Sequence, residues 1–300
     1  MQELTGRRAF VGVMTKAAGA SLLMPPFELS GETRSQPPSV TVGQVIDLIL
    51  KSIPSAPFPK TVDTLKAGSL SQTVTGIVST MFATAEVVEK AIAAGANFII
   101  AHEPTFYNHA DDTDWLQNDD VFRNKQALLT KHGIAVWRFH DYLHAHRPDG
   151  VLTGLLTTLD WAKYADSDNP HVLTLRATPL GQLIAHAKDR LGIKLVRVVG
   201  DPAQSCQRIL LMPGAAGGRS QITAIEKTQP DVIFCGEASE WETPEYVRDA
   251  RRQGKKLSLV ILGHIMSEAA GMEWVVSWLK PQLPGVNITY ISSGNEFTYL

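Results

Sequence analysis

Cysteine is scarce in this chain of 300 residues, because Cys206 and Cys235 are the only two and they form no CxxC pair. They supply neither a disulfide framework nor a thiolate zinc site, and we expect both to be buried and unreactive. No uninterrupted apolar run approaches the ~20 residues that a membrane-spanning helix needs. The formal net charge of -2 provides no strong basic field, which argues against a nucleic-acid-binding protein.

The first 39 residues differ in pattern from the rest of the chain. An arginine pair at 7–8 precedes a mildly apolar stretch, and Ala-Gly-Ala at 18–20 resembles a small-residue cleavage site. The arrangement resembles a twin-arginine export signal, and the Pro- and Ser-rich residues after it are typical of a linker. We therefore expect an exported, periplasmic protein. The alternative is a cytoplasmic protein with an N-terminal extension.

Beyond this segment, short apolar or β-branched runs alternate with amphipathic stretches, which predicts strands alternating with helices. Thr41 is the expected N-cap of the first helix, and Gly95 is expected to end the next one. An acidic run at 111–120 is predicted to be a solvated loop. Because such alternation is typical of parallel strands covered by helices, we predict an α/β fold. It would have two similar lobes, residues 40–165 and 166–300, each with a mostly parallel sheet.

Polar side chains follow four of the predicted strands at the point where each strand ends. In open α/β sheets, ligands gather outside the carboxyl ends of the strands, so we expect chemistry at these tips. Histidine and carboxylate groups of this kind suit a divalent metal ion. The residues are His102 and Glu103 after FIIA, His140 and His144 after IAVWRF, Glu237 after DVIFCG, and His264 and Glu268 after LSLVILG.

These motifs also carry a resemblance to a known family. IIAHEPTF resembles the IITHHPLFF motif, and KHGIAVWRFHDYLHA resembles the KHGIAVYAAHTNLDA motif, of proteins related to NGG-one-interacting factor three. The DVIFCGE and GHIMSE segments are similar to its TGE and GHxxxE ending. Members are also labelled dinuclear metal center or "GTP cyclohydrolase I type 2" proteins. The resemblance covers roughly residues 40–300 in the same order.

The resemblance implies two lobes that face a shared cleft and hold two divalent ions per chain, which would be zinc, iron or manganese. It also implies a homo-oligomer, typically a ring-shaped hexamer. Transferred position by position, the implied metal ligands are His102, Glu103, His144, His264 and Glu268, with His140 as a supporting residue that orients a ligand.

Two of the five ligand positions differ in type from the family motif. Glu103 stands where the motif has histidine, and His144 stands where it has aspartate. The total of three imidazoles and two carboxylates is unchanged, so we expect a retained metal site with rearranged ligands.

Three functions remain open at this point. The first is a metal-dependent hydrolase, in which two ions polarise a substrate oxygen and lower the pKa of water, with Glu237 as the candidate for proton transfer. A cyclohydrolase reaction is suggested by the family label alone. The second is a non-catalytic protein for metal handling or regulatory partner binding. The third is a structural oligomer in which metal only clamps the lobes. We expect a small-molecule substrate of unknown identity and no nucleic-acid partner.

Overall fold

Two five-stranded sheets covered by helices form the framework of the computed structural model, which describes residues 39–295, 297 and 298. Each sheet contains both parallel and antiparallel strand pairs. With the helices that cover them, the two sheets confirm the predicted α/β fold with two lobes. The export signal predicted at the N-terminus lies outside the described residues, as does all but the last residue of its linker, so both stay predictions. None of the helices in the described part of the chain has the length and apolarity that a bilayer crossing requires.

The strands are β1 (Leu65–Ala67), β2 (Ile77–Thr80), β3 (Phe98–Ala101), β4 (Ala135–Arg138), β5 (Val172–Pro179), β6 (Arg197–Val199), β7 (Ser205–Met212), β8 (Val232–Cys235), β9 (Ser258–Ile261) and β10 (Ile288–Tyr290). The helices are α1 (Val42–Leu50), α2 (Ala85–Ala93), α3 (Asp120–Lys131), α4 (Asp141–Ala145), α5 (Gly150–Thr158), α6 (Leu180–Leu191), α7 (Gly218–Thr228), α8 (Thr243–Arg252) and α9 (His264–Leu279).

Parallel strands occupy the centre of each sheet, and antiparallel strands lie at edges. The first sheet has the order β1-β4-β3-β2-β10, in which only β1 runs antiparallel to its neighbour. The second has the order β5-β7-β8-β9-β6, with both edge strands antiparallel. The last strand, β10, joins the first sheet, although the sequence grouped it with the second lobe. The predicted lobe boundary near residue 165 itself stays a prediction.

Local sequence accounts for the ends of the first two helices. Thr41 accepts a hydrogen bond from the Gln44 backbone, and the Gln44 side chain accepts one from the Thr41 backbone, which forms the capping box of α1. After α2, Gly95 adopts the left-handed region at φ 70°, which suits glycine at a helix end. Both predicted helix ends are therefore confirmed. Cys206 and Cys235 are also buried and form no disulfide, as expected.

Helix α9 connects the two lobes. It starts at the tip of β9 in the second sheet and packs against α5, β2 and β10 of the first lobe. The hydroxyl of Ser79 on β2 donates a hydrogen bond to the Met272 carbonyl of α9 at 2.7 Å. Because α9 also carries His264 and Glu268, its packing determines where these two side chains stand relative to the first sheet.

The crossing of α5 and α9 depends on a glycine, and Gly154→Ala is expected to destabilise the protein. A Cβ at Gly154 would lie 2.2 Å from the Ala270 carbonyl oxygen and 2.6 Å from the Gly271 nitrogen, so the helices would have to separate. We expect a loss of about 1–3 kcal/mol, measured by urea unfolding. The exposed Thr157→Ala on the same helix is the control and should stay within about 0.5 kcal/mol. Equal stability of the two variants would contradict the prediction.

Candidate metal centre

The tips of β3, β4, β8 and β9 bring all seven predicted site residues into one cluster. His102 and Glu103 directly follow β3, while His140 follows β4 and His144 lies on α4. The first turn of α9 reaches the cluster from the other lobe. The strands of each sheet end at one edge because the central strands are parallel, and this edge is where the sequence predicted the site.

Glu103, His264 and Glu268 form the part of the cluster that bridges the lobes. His264 Nε2 lies 3.1 Å from Glu103 Oε1 and 3.0 Å from Glu268 Oε2. Glu268 Oε2 also lies 3.4 Å from His102 Nε2. Both carboxylates are buried, so each is paired with imidazole rather than with water.

His102, His140 and His144 form a second part of the cluster, made of imidazoles alone. The ring centroids lie 4.8 Å apart for His102 and His140, 5.2 Å for His102 and His144, and 5.1 Å for His140 and His144. Their nitrogen atoms are close enough together to hold one metal ion. The sequence assigned His140 only a supporting role, yet the structure gives it the same surroundings as the two histidines beside it.

Each of the four imidazoles has an acceptor at Nδ1, which leaves Nε2 free for another partner. Such acceptors fix the tautomer and the ring orientation of metal-binding histidines. The Nδ1 acceptors are the Phe139 carbonyl at 3.0 Å from His102, Asp141 at 2.9 Å from His140, Asp149 at 3.1 Å from His144 and Glu237 at 2.8 Å from His264.

His102 provides a direct test of whether a metal ion fits this cluster. Its Nε2 atom is fully buried and has no hydrogen-bond partner among the residues described, because the contact to Glu268 lacks hydrogen-bond geometry. A buried nitrogen without a partner is costly, and it lies beside two buried carboxylates. A divalent cation would satisfy all three groups, since imidazole and carboxylate are both common metal ligands. The residues present therefore fit a metal ion.

In the absence of a metal ion, the buried charges of the cluster compensate one another. Burial alone would raise the pKa of Glu103, but the hydrogen bond from His264 and the nearby histidine charges lower it to about 2. Burial would lower the pKa of His264, but its hydrogen bonds to Glu103 and Glu268 raise it to about 11. Without metal, a proton on His264 thus offsets the carboxylates. For His140, burial and the charge on His102 lower the pKa to about 4, so this imidazole is neutral.

Glu237, the candidate for proton transfer, contacts the cluster through one residue. It follows β8 and accepts the His264 Nδ1 hydrogen at 2.8 Å, while its side chain remains about half exposed. This contact orients the His264 ring so that Nε2 faces Glu103 and Glu268. A role for Glu237 in proton transfer stays a prediction.

Sequence reasoning missed Arg138, the last residue of β4. Its side chain is fully buried beneath the loop that carries His102 and Glu103. It donates hydrogen bonds to the carbonyls of His102 and His109, and its guanidinium lies 3.4 Å from Glu103 Oε2. The signal was present, because a charged residue inside an apolar strand requires an anionic partner. The family motif has alanine here, so the unusual Glu103 is accompanied by an equally unusual arginine.

Asp111 corrects the predicted solvated loop at 111–120. Its side chain is only 2% exposed and forms an ion pair with Lys66 at 3.1 Å. It also accepts the Phe106 backbone hydrogen at 2.8 Å and lies 3.6 Å from Arg138. The prediction was wrong at this residue. The nearby cations Lys66 and Arg138 stabilise the charged carboxylate of Asp111, so it can be buried.

Beside the cluster lies a cavity of about 390 Å³, lined by Glu103, His140, His144, His264 and Glu268 among others. A cavity of this size is in the range of small-molecule sites.

The fold and the cluster together define a class, the two-lobed α/β proteins in which buried histidine and carboxylate groups could hold a metal ion. The chain belongs to the Duf34/NIF3 (NGG1p interacting factor 3) family, whose sequence model matches residues 41–296. This confirms the resemblance found in the motifs.

Curated relatives carry the name "GTP cyclohydrolase 1 type 2 homolog". The protein of Clostridium perfringens is 25% identical over 215 residues, which is 68% of this chain and 77% of the relative. That of Escherichia coli K12 is 26% identical over 232 residues, which is 75% of this chain and 86% of the relative.

Solved structures share the fold. A hypothetical protein of Staphylococcus aureus has a TM-score of 0.70 at 19% identity, covering 87% of this chain and 100% of that one. A Bacillus cereus protein described as related to NIF3 has a TM-score of 0.69 at 16% identity, covering 87% of this chain and 99% of that one.

Proposed function

We propose that this protein binds two divalent metal ions in the cluster and acts as a metal-dependent hydrolase. The observation that carries the proposal is a cluster of four imidazoles, each with an Nδ1 acceptor, that also contains two buried carboxylates. Metal-binding histidines generally have an acceptor of this kind at the ring nitrogen that does not bind the metal.

The division of the cluster into two parts supports two ions rather than one. The donors of the first part are three nitrogen atoms, which suit zinc or iron. Those of the second part include two carboxylates, which can offset the charge of a further ion or bridge two of them. The proposed ligands are the predicted His102, Glu103, His144, His264 and Glu268, with His140 as an additional donor.

Divalent ions in such a site supply Lewis acidity and lower the pKa of water. The chain's own groups have separate tasks. Glu237 accepts a hydrogen bond from Nδ1 of His264 and so orients its ring, and Asp149 does the same for His144. Arg138 holds one oxygen of Glu103, so that the other oxygen points towards the cluster. The adjoining cavity supports a small-molecule substrate, and the name of the relatives is the sole support for a cyclohydrolase reaction.

The number of bound ions tests the proposal directly. Protein purified without chelator, or stripped and then reconstituted with zinc, iron or manganese, is expected to hold about two ions per chain by elemental analysis. The same protein after chelation is the control and should keep its secondary structure by circular dichroism. Fewer than about one ion per chain after reconstitution would rule out the two-metal site.

A non-catalytic oligomer for metal handling or partner binding is the second candidate function. Large apolar side chains at the surface favour it, because Trp115 is 65% exposed, Val121 64% and Trp241 80%. Exposed aromatic and aliphatic groups are frequent at protein interfaces. A homo-oligomer, hexameric by family resemblance, is compatible with both candidates. Hydrolysis of any substrate by the reconstituted protein would favour the enzyme.

A further inference from the structure

A second cavity, of about 730 Å³, also adjoins the cluster. Part of its lining belongs to the proposed metal site, namely Glu103, Glu237 and His264. The rest is outside the proposed ligand set and comes mainly from the loop before α2, the loop after β3 and helix α3, with Ala215 from the loop after β7. These residues include Phe82, Thr84, Tyr107, Asn108 and Lys125.

Lys125 is the unusual group in this second lining. It lies on α3 with its side chain buried, and Nζ donates a hydrogen bond to the Thr105 carbonyl at 2.6 Å. Across residues 39–298, leaving out 296, no carboxylate lies within 4.0 Å of this nitrogen. Burial without such a partner lowers the pKa of Lys125 to about 8, although the charge of Asp111 opposes the shift. A buried ammonium normally has an anionic partner, and this one lines a cavity instead.

Aromatic rings surround the same ammonium group. Nζ lies 5.7 Å from the ring centre of Phe106 and 5.4 Å from that of Tyr107. The Tyr107 ring is about half exposed at the cavity, and its backbone adopts φ 60°, a conformation that is strained for a tyrosine. Asn108 stabilises this turn by donating to the carbonyls of Phe106 and Asp112. The loop therefore holds the Tyr107 ring beside the lysine at an energetic cost.

Phe82 belongs to the same lining and lies next to the histidine and carboxylate cluster. Its ring centre is 6.4 Å from that of His264, in an edge-on arrangement. The cavity thus combines aromatic walls, one ammonium group without a carboxylate partner, and access to the proposed metal ligands. This combination would accommodate a flat ring that carries a negative group, because aromatic pairs and charge-assisted hydrogen bonds would both form on binding.

We propose that this cavity is the substrate pocket and that Lys125 binds the carboxylate or phosphate of a small aromatic substrate, whose ring lies against Tyr107 and Phe82 while its reacting group faces Glu103 and His264. The proposal rests on the proposed metal-dependent function for its reacting end, and the binding of the anionic ring can be measured separately.

Phenyl phosphate and inorganic phosphate are suitable probes, since they share the anion and differ in the ring. Calorimetric titration is performed on the full-length metal-loaded protein and again after chelation. We expect phenyl phosphate to bind at least about tenfold more tightly than inorganic phosphate, because the ring adds aromatic contacts. Equal affinity for the two probes would overturn the aromatic part of the proposal.

Variants of Lys125 test the anion contact. Lys125→Met keeps the length and shape of the side chain without its charge, and is expected to weaken phenyl phosphate binding at least about tenfold. Lys125→Arg retains the charge and should stay within about threefold of the wild type. Lys131→Met, an exposed position on the same helix, is the matched control and should change nothing.

If Lys125→Met fails to fold, the anion contact can still be tested in the wild type, by asking whether phenyl phosphate protects Lys125 from chemical labelling. Acetic anhydride acylates lysine amines, and phenyl phosphate is expected to protect Lys125 but not Lys131, as measured by peptide mass spectrometry. Unchanged labelling of Lys125 at saturating phenyl phosphate would overturn the proposal.

The metal and lysine contributions can be told apart. If chelation abolishes phenyl phosphate binding while Lys125→Met leaves it unchanged, the phosphate binds to metal and the Lys125 pocket is refuted. If the chelated protein still binds the probe through Lys125 while the reconstituted protein holds fewer than about one ion per chain, the pocket stands and the metal-dependent function fails.

Discussion

Glu268→Gln is expected to lose metal affinity by more than about 100-fold. Loss of groups that merely support a ligand already lowers metal affinity by roughly 10–100-fold, and Glu268 is itself a proposed ligand. Its Oε2 lies within 3.4 Å of both His102 Nε2 and His264 Nε2, so it contacts imidazoles from both lobes. The neutral amide removes the negative charge that would offset a divalent ion, and its nitrogen cannot coordinate.

The measurement is competitive titration of zinc against a chelator of known affinity, combined with elemental analysis. Glu273→Gln on the exposed side of α9 is the matched control and should retain both ions. Circular dichroism confirms that each variant is folded. If Glu268→Gln binds zinc as tightly as the control, Glu268 is not a ligand and the bridging role of α9 is wrong.

Arg138→Ala is expected to destabilise the protein by about 3–5 kcal/mol, because it removes the guanidinium from beside two buried carboxylates, Glu103 and Asp111. The guanidinium contacts Glu103, and it also supplies donors to the carbonyls of His102 and His109. In the variant, those two carbonyls would lose their hydrogen-bond donor. Thermal and urea unfolding measure the loss. Arg123→Ala removes an exposed arginine that pairs with Asp120 at the surface, and should change stability by about 1 kcal/mol at most.

A double variant tests whether Arg138 and Glu103 belong together. Glu103→His with Arg138→Ala restores the residue types of the family motif at both positions. We expect the double variant to be more stable than the sum of the two single losses predicts, by roughly 0.5–3 kcal/mol, since the carboxylate that needs the guanidinium is gone. Simple additivity would show that the two residues are independent and that Arg138 stabilises the loop through its carbonyl contacts alone.

The helices and central strands could be predicted from the sequence because their patterns are local. The strand Phe98–Ala101 is four buried apolar residues between a glycine-ended helix and a polar tip, and nothing outside this stretch is needed to predict it. The edge strands β1 and β5 were not predicted. Their residues are largely half-buried or exposed, so they lack the continuous apolar run of a central strand.

Lys125 and Asp111 show why a charged residue can mislead sequence reasoning. In the sequence, Lys125 is one polar residue of an amphipathic helix, and Asp111 opens an acidic run. Their burial follows from the packing of α3 and β1 against the loop after β3, and these contacts join residues far apart in the chain. Local patterns contain no information about such contacts.

By itself, the sequence determined the fold class and the positions of the candidate ligands, because parallel strands end at a common edge whatever covers them. Only the tertiary structure decided which acceptor is hydrogen-bonded to each histidine. It also decided that His140 lies in one group with His102 and His144, and that Arg138 contacts Glu103. It also decided that β10 pairs with β2 of the first sheet and that α9 carries His264 and Glu268 across to the first lobe. The physical reason is that burial and pairing depend on which elements meet in space, and partners such as Ser79 and Met272 are separated by 193 residues along the chain.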